Sequence, residues 1–285
     1  MACLAAVVSV VTVAVAHASG SGGAVVEEQA VRATPPDRAL VVSDSAWLAI
    51  HSYGTMDAVQ GFDHTLALAS CRRRVAASCR NYDGFVPATV LEVLVADAGR
   101  HSTLVVATGY NDSDHAFAGE FEQIVGAARS LGYERIVWLT LRSSGVTYQS
   151  PDDAGYAEVF DRVNATLAGL VASGRHPDVV IADWARYARD RPEWFAPDGI
   201  HLRRTGTYAA SDYLSRKMAF LDGRACPRPS AEGVAVQSPC PDPDVTGPVV
   251  DLAGVYPLDR SAPRQPFSLE FVGHGSWPDL PWWER

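Results

Sequence analysis

Between residues 39 and 221 the chain alternates short apolar runs with longer amphipathic segments. A short, wholly apolar run predicts a strand that is buried on both faces, whereas apolar residues three and four positions apart predict a helix. Repeated alternation of the two predicts an α/β fold in which helices cover both faces of a five-stranded parallel sheet. In such a sheet, ligands bind outside the carboxyl ends of the strands.

The boundaries follow from the same pattern. The predicted strands are Ala39–Ser43, Leu66–Ala69, Thr103–Thr108, Arg135–Leu141 and Val179–Ala182. A helix is expected to begin directly after the first strand. The other helices are predicted over residues 86–98, 114–131, 152–173 and 205–221.

The charge balance excludes one class of partner. The net charge is −9, from 24 basic and 33 acidic residues. A nucleic-acid-binding surface needs clustered Lys and Arg, so this balance argues against one. The overall charge also offers no attraction to acidic polymers, so a polymeric substrate would have to be held by local contacts.

The N-terminal segment carries no charged side chain and ends in Ala16-His17-Ala18, before a Gly/Ser-rich stretch. An apolar run before a small-x-small site predicts a secretory signal peptide, here residues 1–18. A membrane anchor is the alternative, but the run is shorter than the ~20 residues that a spanning helix needs. We therefore expect a secreted or cell-wall-associated protein without a membrane span in its mature chain, and a linker at 19–38.

Removal of the signal peptide leaves four cysteines: Cys71, Cys79, Cys226 and Cys240. An even number of cysteines in an exported chain predicts disulfides. We favour the local pairing, Cys71 with Cys79 and Cys226 with Cys240, because it closes two short loops. A zinc site is a weaker alternative, because the chain has no Cys-x-x-Cys pair and no histidine at ligand spacing from these cysteines.

Residues with complementary chemistry follow three of the predicted strands. Ser45 follows the first strand, Asn111 the third, and Asp198 and His201 the fifth. Because the carboxyl ends of parallel strands meet at one edge of the sheet, these side chains are expected to converge. A hydroxyl, an oxyanion donor, a carboxylate and an imidazole are the components of nucleophilic acyl transfer.

Each residue type has a chemical role in that reaction. The Ser45 hydroxyl is a poor nucleophile until a base such as His201 removes its proton. Asp198 would hold the imidazole in one tautomer and stabilise the imidazolium. The Ser45 N–H and the Asn111 side-chain amide would donate to the oxyanion, and Gly109 would leave room beside them.

Each signal also has a structural interpretation. A serine after an aspartate, as Ser45 is after Asp44, is more often a helix cap than a nucleophile. A single histidine is more often structural, and Asn111 lies in an Asn-Asp-Ser sequence that is typical of a turn. Their common placement at converging strand ends favours the functional interpretation.

The three motifs resemble those of the SGNH hydrolases, the superfamily of GDSL-like esterases and lipases, over residues 39–221. Residues 43–45 (Ser-Asp-Ser) are similar to the Gly-Asp-Ser block, with Asp44 in a supporting place. Residues 109–112 (Gly-Tyr-Asn-Asp) match Gly-x-Asn-Asp, and residues 198–201 match Asp-x-x-His. The resemblance implies a flavodoxin-like three-layer α/β/α sandwich.

Two positions depart from the family pattern. Ser43 stands where the first block has glycine, and the oxyanion glycine of the second block is not evident. Cys71 is the residue closest to that glycine position, and its N–H could donate to the oxyanion; Gly84 is the fallback. A disulfide at Cys71 would then fix a loop that glycine shapes in relatives.

The resemblance implies carboxylesterase, carbohydrate acetylesterase, lipase or acyltransferase chemistry through Ser45, His201 and Asp198. Together with the predicted signal peptide, we expect an exported serine esterase that hydrolyses acetyl or short acyl esters, on cell-wall or other carbohydrates. Its substrate would be a small-molecule or carbohydrate ester, and neither a metal nor an organic cofactor is needed. An O-acyltransferase with the same residues and a catalytically inactive cell-wall-binding protein are the alternatives. The sequence leaves the oligomeric state open.

The predicted catalytic domain covers residues 39–224, and a proline-rich extension covers 225–285. The extension is either packed on the domain or a flexible appendage. Its Trp277–Trp283 cluster is expected to anchor the tail rather than to bind sugar rings. Three aromatic residues near the motifs would either form the floor of a pocket or pack in the core: Trp47, Trp194 and Phe195.

Overall fold

A six-stranded sheet forms the centre of the protein. The strands are β1 (Ala39–Ser43), β2 (His64–Ala69), β3 (Thr103–Ala107), β4 (Arg135–Leu139), β5 (Val179–Ala182) and β6 (Glu270–Gly275). The helices are α1 (Ser45–Ser52), α2 (Val90–Ala96), α3 (Phe117–Ser130), α4 (Tyr156–Ala172), α5 (Trp184–Tyr187), α6 (Arg204–Leu221) and α7 (Pro243–Thr246). This computed structural model describes residues 38–81, 83–147, 155–227, 237–248 and 270–275.

The strand order is β5-β4-β3-β1-β2-β6, and the first five strands are parallel. The order 2-1-3-4-5 is that of flavodoxin-like doubly wound sheets, so the predicted fold class is confirmed. Strand β2 lies on one side of β1, and the chain then crosses over to place β3 on the other side of β1. In such folds, the crevice at this switch point binds the ligand. Ser45 and Asn111 follow these two strands.

The strands are apolar because they lie inside the molecule. Every residue of β1, β2 and β3 is buried, as expected for a parallel sheet with helices on both faces. Among the described residues, no helix is long and apolar enough to cross a membrane.

Several element ends differ from the sequence-based boundaries, such as the start of β2 at His64 instead of Leu66, and two of these differences have a clear physical cause. Helix α2 begins at Val90 instead of residue 86, because Thr89 caps it: its hydroxyl accepts from the Glu92 N–H, and the Glu92 carboxylate accepts from the Thr89 N–H. Strand β4 ends at Leu139 instead of Leu141. There, the Asn164 side chain replaces the ladder by bonding both the N–H and the carbonyl of Leu141.

Part of the C-terminal extension packs on the sheet. Strand β6 pairs antiparallel with β2 at the sheet edge, a strand that the sequence analysis did not predict. The buried Arg72 guanidinium holds the start of β6, because it donates to the Glu270 carboxylate at 2.7 Å. It also donates to the carbonyls of Ala67 and Ser43 at 2.5 and 3.2 Å. The same side chain also donates to the carbonyl of Ala88.

A second anchor holds the residues after α6. A disulfide joins Cys226 to Cys240. Lys217, the only lysine of the chain, is buried and bonds the carboxylates of Asp242 and Asp244 at 2.9 and 2.5 Å. The structure therefore fixes this part of the extension at α6.

The network around Arg72 predicts a large effect on stability. Arg72→Met would remove the side-chain donor from the buried carbonyls of Ser43 and Ala67 and leave Glu270 without its cation, so urea unfolding should show a loss of about 3 kcal/mol or more. Glu270→Gln keeps an acceptor at a partly exposed position and should cost about 1 kcal/mol. Equal losses in the two variants would contradict this assignment.

Candidate active site

Ser45 is the first residue of α1, at the junction with β1. Asp44 caps this helix, because its Oδ1 accepts from the Ala46 N–H at 3.0 Å. The residue that caps the helix is therefore Asp44 and not Ser45, and Ser45 lies where helical N–H groups point outward. Ser45 is 8% exposed.

The Asp44 carboxylate also joins two strand ends. Its Oδ2 accepts from the N–H groups of Gly109 and Tyr110 at 2.9 and 3.1 Å. Burial raises the pKa of Asp44, and the backbone donors oppose that rise. Ser43 adds a second link, since its hydroxyl donates to the Ala107 carbonyl at 2.9 Å. The serine that stands in the glycine position thus connects β1 to β3.

The structure brings Ser45, His201 and Asp198 together. His201 Nε2 lies 2.9 Å from Ser45 Oγ, and His201 Nδ1 lies 2.6 Å from Asp198 Oδ2. The N–H groups of Ile200 and His201 donate to Asp198 Oδ1 at 2.9 and 3.0 Å. This is the hydrogen-bond order of a serine–histidine–aspartate triad.

The same contacts favour an ionised Asp198. Burial by itself would raise its pKa, but the hydrogen bonds from the His201 ring and from the two backbone N–H groups outweigh it. The pKa of Asp198 therefore lies below its usual value, so the carboxylate is charged at neutral pH and can orient the ring.

Cys71 has a backbone conformation that is typical of glycine. Its φ is 69°, in the left-handed region. A disulfide to Cys79 closes this loop, and the Cys79 N–H donates to the Cys71 carbonyl. Within the part of the chain that the structure describes, no acceptor engages the Cys71 N–H. Gly84 fits less well, because its N–H already donates to Asn81 in a turn.

Asn111 and Asp112 hold the segment that follows Cys71. Asn111 Nδ2 donates to the Arg72 carbonyl at 3.1 Å, which uses one of its two N–H bonds. The Arg74 N–H lies 3.2 and 3.3 Å from the two Asp112 carboxylate oxygens. These side chains therefore fix the loop of Cys71 relative to the end of β3.

Gly109 has a packing role that the sequence analysis did not consider. A Cβ on this residue would lie 2.9 Å from Arg74 Nη1 and 3.0 Å from Leu141 Cδ1. These buried side chains leave no room for a larger residue at this position. The expected role of Gly109 beside an oxyanion stays a prediction.

Arg74 is shared between two carboxylates. Its Nε lies 2.7 Å from Glu120 Oε2 and 3.8 Å from Asp112 Oδ2. Burial raises the pKa of Asp112 to about 6; Glu120 adds to the rise and Arg74 opposes it. Of the two carboxylates, Asp112 therefore has the weaker contact with the Arg74 cation.

The aromatic residues near the motifs belong to the core. Trp47, Trp194 and Phe195 are buried, and each packs against Trp184 with ring centroids 5.6 to 6.2 Å apart. Core packing is the interpretation that these contacts support. The Trp277–Trp283 cluster lies outside the described residues.

A second hydroxyl–imidazole–carboxylate arrangement lies at the amino ends of the strands. His101 Nε2 is 2.8 Å from Thr65 Oγ1, and His101 Nδ1 contacts Asp97 Oδ2. Thr65 and His101 are 3% and 4% exposed, so no substrate can reach this hydroxyl. The sequence analysis missed it, because neither residue lies in a motif or at a carboxyl strand end.

The described segments contain no group of three or more His, Cys, Asp or Glu residues that could hold a metal ion. The acyl-transfer chemistry inferred from the sequence needs none, because the imidazole and the N–H donors supply the base and the oxyanion contacts.

Comparison with known proteins gives distant structural similarities. No family model matches the chain, and no curated protein matches it. A GDSL-like lipase from Bacteroides thetaiotaomicron is similar over 64% of this chain and 88% of its own, at 10% identity and a TM-score of 0.43. An acetyl xylan esterase is similar over 62% of this chain and 97% of its own, at 13% identity and a TM-score of 0.37. A DUF4886 family protein from Bacteroides uniformis is similar over 70% of this chain and 88% of its own, at 13% identity and a TM-score of 0.41.

The raised pKa of Asp112 predicts a pH effect on stability. The folded protein holds this proton more tightly than the unfolded chain, so the free energy of unfolding should fall as the pH rises from about 4 to about 6. Asp112→Asn should remove up to about 3 kcal/mol of that fall. Urea unfolding at several pH values measures it, and identical slopes for the variant and the unmodified protein would contradict the prediction.

Proposed function

We propose that the protein is an exported serine esterase of the SGNH type that hydrolyses carboxylic esters. The observation that carries the proposal is the pair of contacts made by His201, 2.9 Å to Ser45 Oγ and 2.6 Å to Asp198 Oδ2. A base at this distance can take the serine proton, and a charged carboxylate on the other ring nitrogen can stabilise the resulting imidazolium.

The first half of the reaction acylates the enzyme. Ser45 Oγ attacks the ester carbonyl as its proton passes to His201 Nε2, and Asp198 holds the ring through Nδ1. The tetrahedral intermediate then collapses, and His201 gives the proton to the departing alcohol. The lowered pKa of Asp198 supports this step, because it keeps the carboxylate ionised.

Three donors would stabilise the oxyanion: the N–H of Ser45 at the start of α1, the N–H of Cys71, and the side-chain amide of Asn111. The left-handed Cys71 and its N–H, which no described residue engages, support the second of these. Each such donor is typically worth about 3 kcal/mol in the transition state.

The second half of the reaction decides between two activities. If water attacks the acyl-enzyme with His201 as base, then the protein is a hydrolase; if a sugar hydroxyl attacks, then it is an O-acyltransferase. We favour hydrolysis of acetyl or short acyl esters on cell-wall or other carbohydrates, because the Asp-Gly-Ile-His-Leu motif is similar to that branch of the family. The charge-free N-terminal segment and the two disulfides support export.

The first test measures release of p-nitrophenol from p-nitrophenyl acetate. Ser45→Ala should lower kcat at least about 1000-fold, because it removes the nucleophile. Thr65→Val is the matched control. It removes the buried hydroxyl that contacts His101 at the amino ends of the strands, away from Ser45, and should leave kcat unchanged. Release that does not depend on Ser45 would favour the inactive binding protein. Acetylated product from added oligosaccharides would favour the transferase.

The second test separates the two disulfides. Each closes a short loop and should contribute about 2 to 3 kcal/mol of stability, so both Cys71→Ser/Cys79→Ser and Cys226→Ser/Cys240→Ser should melt at lower temperature. If the Cys71–Cys79 disulfide holds the Cys71 N–H in the oxyanion hole, then kcat should fall about 10-fold or more in the first double variant only. Unchanged turnover in both variants would contradict this role of the disulfide, since the backbone N–H of residue 71 is kept in the serine variant.

A further inference from the structure

Arg142 is a buried arginine beside the candidate active site that belongs to none of the sequence motifs. It follows β4 and is 2% exposed. Its Nη1 donates to the Gly199 carbonyl at 2.8 Å, and its Nε donates to the Ala188 carbonyl at 3.1 Å. Its guanidinium carbon lies 4.1 Å from the centre of the Phe195 ring.

The Glu193 carboxylate acts on this side chain through its charge but does not form an ion pair with it. Within the described ranges, no Asp or Glu oxygen lies within ion-pair distance of Arg142. Burial lowers the pKa of its guanidinium below the ordinary value. A buried cation is costly unless its donors are used, and two of them bond backbone carbonyls of separate segments.

Two of the residues that Arg142 contacts, Phe195 and Gly199, belong to the hairpin that carries Asp198 and His201. Phe195 pairs with Leu202 across this hairpin, and the Ala196 N–H donates to the His201 carbonyl at 2.7 Å. Gly199, whose carbonyl Arg142 holds, lies between Asp198 and His201 in the chain. The guanidinium therefore contacts the hairpin both at its base and at its tip.

The residues after Arg142 hold the same hairpin. The Thr147 N–H donates to the Asp198 carbonyl at 3.0 Å. Gly199 has a φ of +75°, and a Cβ on it would lie 2.2 Å from the Gly145 carbonyl oxygen. The segment 142–147 and the hairpin are therefore in direct backbone contact.

We propose that Arg142 is a positioning residue, which holds the Asp198–His201 pair at the distance from Ser45 that proton transfer requires. Its planar fork bonds Gly199 and Ala188 in fixed directions while its face packs on Phe195. A lysine has three N–H donors on a single nitrogen and no planar face, so it cannot make this set of contacts. The effect on turnover rests on the proposed esterase function, but the effect on hairpin geometry does not.

The kinetic test compares Arg142→Lys and Arg142→Met with Arg216→Met. Both Arg142 variants should lower kcat about 10- to 100-fold, with KM changed less than about threefold, because a displaced base slows proton transfer but leaves Ser45 in place. Arg216 is also buried, and it pairs with Asp212 on α6. Its variant should lose stability and keep kcat, so equal kcat in all three variants below their melting temperatures would overturn the proposal.

A spectroscopic test is independent of activity. The ring C–H resonances of His201, observed by NMR on histidine-labelled protein, should shift in Arg142→Lys, which keeps the charge but loses the fork. Those of His101, which contacts Asp97 at the other sheet edge, should not move. Unmoved His201 resonances would overturn the proposal. A shift in protein that lacks Ser45-dependent esterase activity would uphold the positioning role and overturn the proposed function instead.

Discussion

The buried carboxylate of Asp44 is the contact on which the candidate site depends. One of its oxygens caps α1 through Ala46, and the other accepts from Gly109 and Tyr110 after β3. It therefore fixes the helix that begins with Ser45 relative to the neighbouring strand end. Without this carboxylate three backbone N–H groups would lose their acceptor inside the protein, and a buried donor without a partner is costly.

Buried arginines support the loops at the carboxyl ends of the strands. Arg72 bonds the end of β1, β2 and the start of β6, Arg74 bonds the loop after β3, and Arg142 bonds the hairpin after β5. Backbone carbonyls that leave a strand ladder need new donors if they remain buried. A guanidinium has five donors in one plane, so it can satisfy several such carbonyls at once.

Much of the fold could be predicted from the sequence, because the signals are local. The strands Ala39–Ser43 and Val179–Ala182 match the structure residue for residue. The start of α2 was placed too early, since the capping role of Thr89 was not considered. The strand Glu270–Gly275 was missed, because it is specified by its pairing with β2 and by Glu270 on Arg72, both distant in the chain.

The sequence by itself determined the alternation of strands and helices and the residue types of the candidate site. Both can be recognised from a few consecutive residues, because a buried strand is a short apolar run and each motif is a short segment. The tertiary structure decided which side chains meet. Ser45 and His201 are 156 positions apart, and only the packed hairpin brings them within 2.9 Å. It also showed that Arg74 and Leu141 leave no room for a side chain at Gly109, and that Arg142 bonds Gly199, between Asp198 and His201. A close approach of distant segments leaves no periodicity in the sequence, because it depends on how whole elements pack.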